Sequence, residues 1–359
     1  MKLFGDTFRG KRILLTGHTG FKGSWLALWL RELGADVTGV ALAPETRPNH
    51  WDALTLDIDD RRLDIRDAQA LQQLFAQVRP ELVLHLAAQP LVRRSYRAPL
   101  ETWSTNVMGT ANVLEASRHT ASVEAIVVVT TDKCYENREW LWGYREVDAL
   151  GGHDPYSASK AGAELVVASY RKAFFSAPAA PLLASARAGN VIGGGDWSED
   201  RLIPDLVRAV SAGQFLEIRS PGATRPWQHV LESLSGYLLL ASKLLNGEHD
   251  HASAWNFGPE PEGNRTVSEV LTGIATHWPE LHWHVGQGEQ AHESTLLYLD
   301  SAKARTHLNW KPTWQFDQAL ECTAAWYRAW YERGELSTQR QLADYVATAR
   351  AGGNEWANA

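Results

Sequence analysis

The sequence predicts an α/β fold built on a doubly wound parallel sheet, and three observations predict it. Short apolar runs alternate with stretches of helical period; the runs are apolar throughout, as strands covered on both faces must be; and a glycine-rich turn joins the first run to the first helical stretch. Residues 12–16 are the first strand, because the run Ile13-Leu14-Leu15 is apolar and stops at Gly17. Residues 21–33 are the first helix: Leu26, Trp29, Leu30 and Leu33 share one face, and Gly34 ends it. The alternation continues with strand 37–42, helix 68–78, strand 82–86, helix 102–118, strand 125–129, helix 156–175 and strand 182–186. Pro178, Pro181 and Gly193-Gly194-Gly195 mark a change of texture, after which segments are shorter and richer in tryptophan, proline and histidine. Residues 1–187 are therefore expected to form the first domain, with contributions from near 224–258. Residues 188–359 are expected to form a smaller α/β lobe over the carboxyl ends of the strands. Residues 351–359 read as a frayed tail.

At 359 residues the chain is long enough for one large core or two lobes around a cleft. A hydrophobic content of 44% and a charged content of 21% are those of an ordinary globular protein. The net charge of -7 gives no footprint for nucleic acid. Cys134 and Cys322 make no disulfide framework, so a reducing compartment, the cytoplasm, is expected. Residues 1–11 carry Gly5, Asp6 and Arg9 where a signal peptide needs an apolar stretch, and no later run approaches ~18 apolar residues. Neither export nor membrane spanning is expected.

Tyr156 and Lys160 lie four residues apart and so project from one face of their helix. A close ammonium favours the phenolate, which makes the pair a general base suited to a sugar or alcohol hydroxyl. Gly17-His18-Thr19-Gly20-Phe21-Lys22-Gly23 is GxxGxxG at a strand-to-helix turn. There glycine lets a pyrophosphate approach the backbone, and the free N–H groups of the helix favour an anion. The acidic residue that would hold an adenosine ribose at the end of the second strand is missing, Val40-Ala41-Leu42-Ala43 standing there; Asp64 is the nearest candidate. These residues alone leave NAD and NADP both open. Thr130-Thr131-Asp132-Lys133 puts hydroxyl, carboxyl and amine groups at the carboxyl end of a central strand, where such folds hold ligands. His282-Trp283-His284, with His277, lacks a fourth ligand and reads as a strand, so no metal is expected. Most of the 16 tryptophans, Trp326 and Trp330 among them, read as packing.

In chain order, GxxGxxG, His85-Leu86-Ala87-Ala88-Gln89, Thr131-Asp132-Lys133 and Tyr156 with Lys160 resemble the extended short-chain dehydrogenase/reductase family, nucleotide-sugar branch, over almost the whole chain. The runs 16–25, Thr131-Asp132-Lys133-Cys134-Tyr135 and Arg225-Pro226-Trp227-Gln228-His229-Val230 resemble the cytidine-sugar dehydratases of that branch. The resemblance implies a Rossmann domain, NAD as cofactor and CDP-glucose as substrate, dehydrated to the 4-keto-6-deoxy sugar. It implies that Tyr156, with Lys160 and Thr131, takes the 4-hydroxyl proton and that Asp132 is the acid. Lys133 stands where the thymidine-sugar enzymes have a glutamate base, and it can act as a base only when neutral. Cofactor contacts are implied for Gly17, His18, Thr19, Gly20, Phe21, Lys22, Gly23, Asp64, Ile65, Leu86, Ala87, Ala88, Gln89, Asn106 and Thr130, besides Tyr156 and Lys160. Substrate contacts are implied for Asn190, Arg225 and Asn256. Near Tyr298, His292-Glu293 replaces an arginine of the thymidine-sugar relatives, which leaves base recognition open. Helices 102–118 and 156–175 are implied as a homodimer surface, and the product as a deoxysugar precursor for bacterial surface polysaccharide. The rival reading, a nucleotide-sugar 4-epimerase, shares the turn and the tyrosine but needs no acid and base for eliminating water. A dehydratase of another nucleotide-hexose is a second rival.

Overall fold

The computed structural model describes residues 1–218, 220–286 and 296–358, and its centre is one parallel sheet of seven strands. In chain order these begin with β1 (Arg12–Thr16), β2 (Asp36–Ala41), β3 (Asp59–Arg62), β4 (Leu82–His85), β5 (Ala125–Val129) and β6 (Leu182–Ala188). Across the sheet the order is Ala254–Phe257, β6, β5, β4, β1, β2, β3. The chain winds outward from β1 to one edge and from β4 to the other, so the carboxyl ends of β1 and β4 flank a crevice, the usual ligand position of doubly wound sheets.

The central strands β1, β4 and β5 are largely apolar because each feeds two cores. Ile13, Leu15, Leu84 and Val127 face a layer with Trp25, Trp29 and Leu231, whereas Leu14, Val83, Ile126 and Val128 face Phe75, Leu114 and Val167. Beyond β6 the chain builds three two-stranded pairs, Val191–Ile192 with Gln228–His229, Leu216–Ile218 with Trp283–Val285, and Thr224–Pro226 with Asn264–Thr266. Between them, helix Val230–Leu245 packs on β5 and β6, and Ala254–Phe257 then joins the main sheet.

Three expectations are corrected. The edge strand β3 was not foreseen, because Asp59-Asp60-Arg61-Arg62 carries no apolar residue; charge on an edge strand discourages pairing with another molecule. Helix 102–118 is not one regular helix but Pro99–Trp103, a π-helical turn Ser104–Met108 and Gly109–Arg118. Residues 351–359 do not fray as expected: Trp356 is buried and stacks on Phe4 at 5.0 Å, fastening this end to the start of the chain.

Candidate active site

β1 runs straight into the glycine turn. Gly17 has φ +79, and a side chain on it would meet the backbone nitrogen of Ala87 at 2.7 Å; one on Gly23 would lie 2.0 Å from the Gly17 carbonyl oxygen. These two glycines let the turn, the helix start and the end of β4 converge on a cleft of about 1690 Å³. No side chain caps helix Phe21–Glu32, so its first N–H groups face the cleft as an anion cradle. That uncapped end and the side-chain-free floor fit the pyrophosphate of a dinucleotide.

Gly17, Thr19, Gly20, Phe21, Lys22, Gly23, Asp64, Ile65, Leu86, Ala87, Ala88, Gln89 and Thr130 all line this cleft. The structure does not bring His18 or Asn106 into it. The His18 ring lies over Gly39, where a Cβ would be 2.5 Å away, and bonds Asp60 at 2.9 Å. Asn106 accepts from the Gln89 N–H at 2.8 Å and donates to Ser159 Oγ at 2.9 Å, holding the β4 exit against the helix that carries Tyr156. The Asp64 carboxylate chelates the Arg66 guanidinium, which holds its pKa down. At the end of β2, Leu42 is exposed and no carboxylate takes the ribose position.

Helix Pro155–Ala173 is started by Asp154, which accepts from the Ser157 N–H at 2.9 Å. Tyr156 is in its first turn and Lys160 one turn on, and both line the cleft with Thr131 and Lys133 from the exit of β5. Thr131 donates to Asp132 Oδ1 at 2.9 Å. Burial pushes the Tyr156 phenol up to about 12, with the nearby Thr131 hydroxyl and the Arg201 charge opposing it. Burial also lowers Lys160 to about 8, its Nζ donating to the Val129 carbonyl at 3.3 Å. In the protein alone, therefore, burial works against the phenolate expected from the spacing of the two residues.

Asp132 is 1% exposed and beneath the cleft surface rather than on it. Burial raises its pKa against the pull of Lys133, Thr131, Arg225 and Lys22, the direction an acid requires. Its Oδ2 has no hydrogen-bond partner and faces Gly189, where a Cβ would be 3.0 Å away. Below these groups Glu164 is buried against Arg187 at 2.7 Å and accepts from Thr130 and Ser185, tying β5 and β6 to helix Pro155–Ala173.

Asn190 and Arg225 line the far side of the same cleft. Asn256 does not line it. Its amide sits in the edge strand, accepting from Tyr135 at 2.8 Å and donating to the Tyr144 carbonyl at 2.7 Å. His292 and Glu293 lie outside the described residues. Sequence reasoning missed Arg201, whose loop position carries no motif, and Tyr237. It also missed that Lys22, named only for the cofactor turn, donates to the Tyr237 hydroxyl at 3.2 Å, burial lowering the amine to about 7.

Fold and site together define an extended short-chain dehydrogenase/reductase. The chain belongs to the GDP-mannose 4,6 dehydratase family, whose model matches residues 14–323. It is 47% identical to the CDP-glucose 4,6-dehydratase of Salmonella typhimurium, over 96% of this chain and 98% of that one. Among solved structures it is similar to the UDP-glucose 4-epimerase of Thermus thermophilus in complex with NAD (TM-score 0.76, 24% identity, covering 88% of this chain and 98% of that one). It is likewise similar to the dTDP-glucose 4,6-dehydratase of Bacillus anthracis in complex with NAD (TM-score 0.72, 22% identity, 88% and 96%). At these identities the two structures establish the fold.

Proposed function

We propose that this chain converts CDP-D-glucose to CDP-4-keto-6-deoxy-D-glucose and water, with NAD held in the cleft and unchanged after each turnover. What carries this reading is Thr131, Asp132 and Lys133 gathered at the exit of β5 beside Tyr156 and Lys160. A buried acid and an amine next to the oxidising tyrosine serve the elimination of water, which epimerisation does not need. The 47% identity to a CDP-glucose 4,6-dehydratase supports the same reaction.

NAD, when bound, takes the C4 hydrogen with two electrons and returns it to C6. The glycine turn and the helix start hold its pyrophosphate, and residues 86–89 line its path. Tyr156 takes the 4-hydroxyl proton, and the Lys160 charge favours the phenolate. The C4 ketone acidifies the C5 hydrogen, which Lys133 removes in its neutral form. Asp132, whose carboxyl pKa burial raises, gives its proton to the departing 6-hydroxyl. Arg225 grips the substrate pyrophosphate with a planar donor fork, and Asn190 meets the sugar diphosphate beside it.

Residues 1–187 then serve the cofactor and residues 188–359 chiefly the nucleotide sugar. Two copies pair through the face formed by 99–118 and 155–173, where Leu100, Met108 and Leu165 are exposed. Among the described residues no helix is long and apolar enough to cross a membrane, in keeping with a cytoplasmic enzyme supplying deoxysugars for surface polysaccharide. The test is to incubate the protein with CDP-, dTDP-, UDP- and GDP-glucose and follow the alkaline absorbance of the keto sugar. The expected result is a clear preference for CDP-glucose. Preference for another base, or an epimer with no keto-deoxy sugar, overturns the reading.

A further inference from the structure

Val129 of β5 pairs with Ala186 of β6, so Asp132 and Gly189, each three residues further along the chain, leave the sheet side by side. Gly189 lines the cleft, whereas Asp132 is 1% exposed and lies beneath the cleft surface. One oxygen of the Asp132 carboxyl is engaged: Oδ1 accepts from the Thr131 hydroxyl at 2.9 Å. The other, Oδ2, is buried and has no hydrogen-bond partner among the described residues, an arrangement that in a folded protein calls for a functional explanation. A Cβ on Gly189 would lie 3.0 Å from this Oδ2. The unengaged oxygen thus meets the cleft wall at a residue that has no side chain.

The backbone does not explain the glycine, because Gly189 has no positive φ. Its surroundings do. The same Cβ would lie 2.7 Å from Cγ of Pro226 and 3.5 Å from the Pro226 carbonyl oxygen. Pro226 is buried at the end of the strand Thr224–Pro226, which is paired with Asn264–Thr266, so its ring has little room to move aside. A side chain at position 189 would be wedged between Pro226 and Asp132 and would cover Oδ2; overfilling so tight a space shifts whatever can move, here the carboxyl.

We propose that Gly189 is a positioning residue for the loss of water: the missing side chain keeps Oδ2 of Asp132 within reach of the 6-hydroxyl of a sugar lying on the cleft wall. The proposal rests on the dehydration reading. In the step it serves, the C5–H bond gives its proton to the base and its electron pair becomes the second C5–C6 bond. The C6–O bond breaks, and the departing oxygen takes the proton of Asp132 and leaves as water. The earlier oxidation at C4 uses Tyr156 and the cofactor turn, and the Gly189 contacts involve neither. A methyl group at 189 therefore separates the acid from its leaving group and leaves the oxidation alone.

CDP-glucose and its 6-deoxy-6-fluoro analogue separate acid access from general damage, because fluoride departs as an anion and does not need the proton of Asp132. Wild type and Gly189→Ala, both loaded with NAD, are mixed with each compound in a stopped-flow instrument. The near-ultraviolet absorbance of the reduced cofactor rises as C4 is oxidised and falls as C6 receives its hydrogen. With CDP-glucose the variant is expected to show a rise at close to the wild-type rate and a fall slowed about 100-fold, the scale of misplacing a general acid. With the fluoro analogue its fall is expected to stay close to the wild-type rate. Should Gly189→Ala fail to fold, the double variant Gly189→Ala with Pro226→Ala removes the ring carbon that crowds the new methyl group and is expected to show the same leaving-group dependence; Pro226→Ala alone is its control. Equal slowing with both compounds, a slowed rise, or wild-type behaviour with CDP-glucose overturns the proposal. So does a double variant that cannot fold when Pro226→Ala does, since position 189 is then a packing position. A wild type that makes no keto sugar from CDP-glucose or any other nucleotide glucose overturns the dehydration reading instead.

Discussion

Tyr156 and Lys160 show how far a motif reaches at the scale of the residue. Their spacing puts both on one helix face and in one cleft, as the sequence predicts. Their acidities are set by what the motif does not contain, the depth of the site, which lifts the phenol to about 12 and lowers the amine to about 8. A lysine that must be charged to favour the phenolate then limits activity on the alkaline side. The pH profile of kcat/KM should fall above a midpoint near 8 as Lys160 loses its proton, and a limb lying above pH 10 would contradict this role. Lys133 carries a separate expectation: Lys133→Met should abolish deuterium uptake at C5 of the sugar, and undiminished exchange would assign the base to another group. Asn256 marks where residue matching stops. A strand turns successive side chains to opposite faces, and nothing in Trp255-Asn256-Phe257 says which face meets the cleft; the amide is used on Tyr135, Tyr144 and Asp300 inside the fold.

Elements that pack through apolar faces were legible, and those held by polar contacts were not. β1, β5 and helix Pro155–Ala173 stand within one or two residues of where hydrophobic period puts them. β3 and the π-helical turn Ser104–Met108 depend on hydrogen bonding that leaves no periodic trace. Between β5, β6 and helix Pro155–Ala173 the invisible component is Glu164, bonded to Arg187, Thr130 and Ser185 and buried. These donors hold its carboxyl below the ordinary glutamate value although burial pushes the other way. A folded pKa below the unfolded one contributes stability above the unfolded value, near pH 4.5, and that contribution fades as pH falls through the folded value. Glu164→Gln should therefore lower stability at pH 7 by about 3–5 kcal/mol, because the Arg187 charge is left buried without its counterion. Urea denaturation at pH 7 and at pH 4 measures both halves of this, and the deficit should shrink at the lower pH. A second variant works through shape: Gly23→Ala places a carbon 2.0 Å from the Gly17 carbonyl oxygen, so the turn must open. NAD affinity by calorimetry should drop at least ~100-fold, the scale on which misplacing a preorganised site by about an ångström is felt.

At the scale of the whole molecule, the rim of the cleft is bridged by ion pairs from one short helix, Val92–Arg97. Arg93 meets Asp200 at 2.8 Å and Arg97 meets Glu199 at 3.2 Å, both in the loop after the glycine run; Arg94 meets Glu45 at 2.7 Å, in the segment after β2. All three pairs are substantially exposed, so each is worth about 0.2–1 kcal/mol and is screened by salt. Arg93, Arg94, Glu45, Asp200 and Glu199 line the cleft. Arg93 and Arg94 are neighbours in the chain, but the acidic partners of these arginines come from two distant segments that only the fold brings together. If the three pairs hold the mouth shut, raising ionic strength from about 0.05 to 0.5 M, which shortens the screening length to a few ångströms, should speed dissociation of bound NAD. The combined strength of the pairs sets the scale at roughly threefold to a hundredfold, since 1.4 kcal/mol is a factor of ten. Replacing Arg93 and Arg97 together by alanine should give the fast rate already at low salt and remove most of the salt dependence. Stopped-flow release into an excess of competing nucleotide measures both quantities. Equal salt slopes in the variant and the wild type would mean that the mouth is held by packing of the later lobe, and that these pairs only decorate its rim.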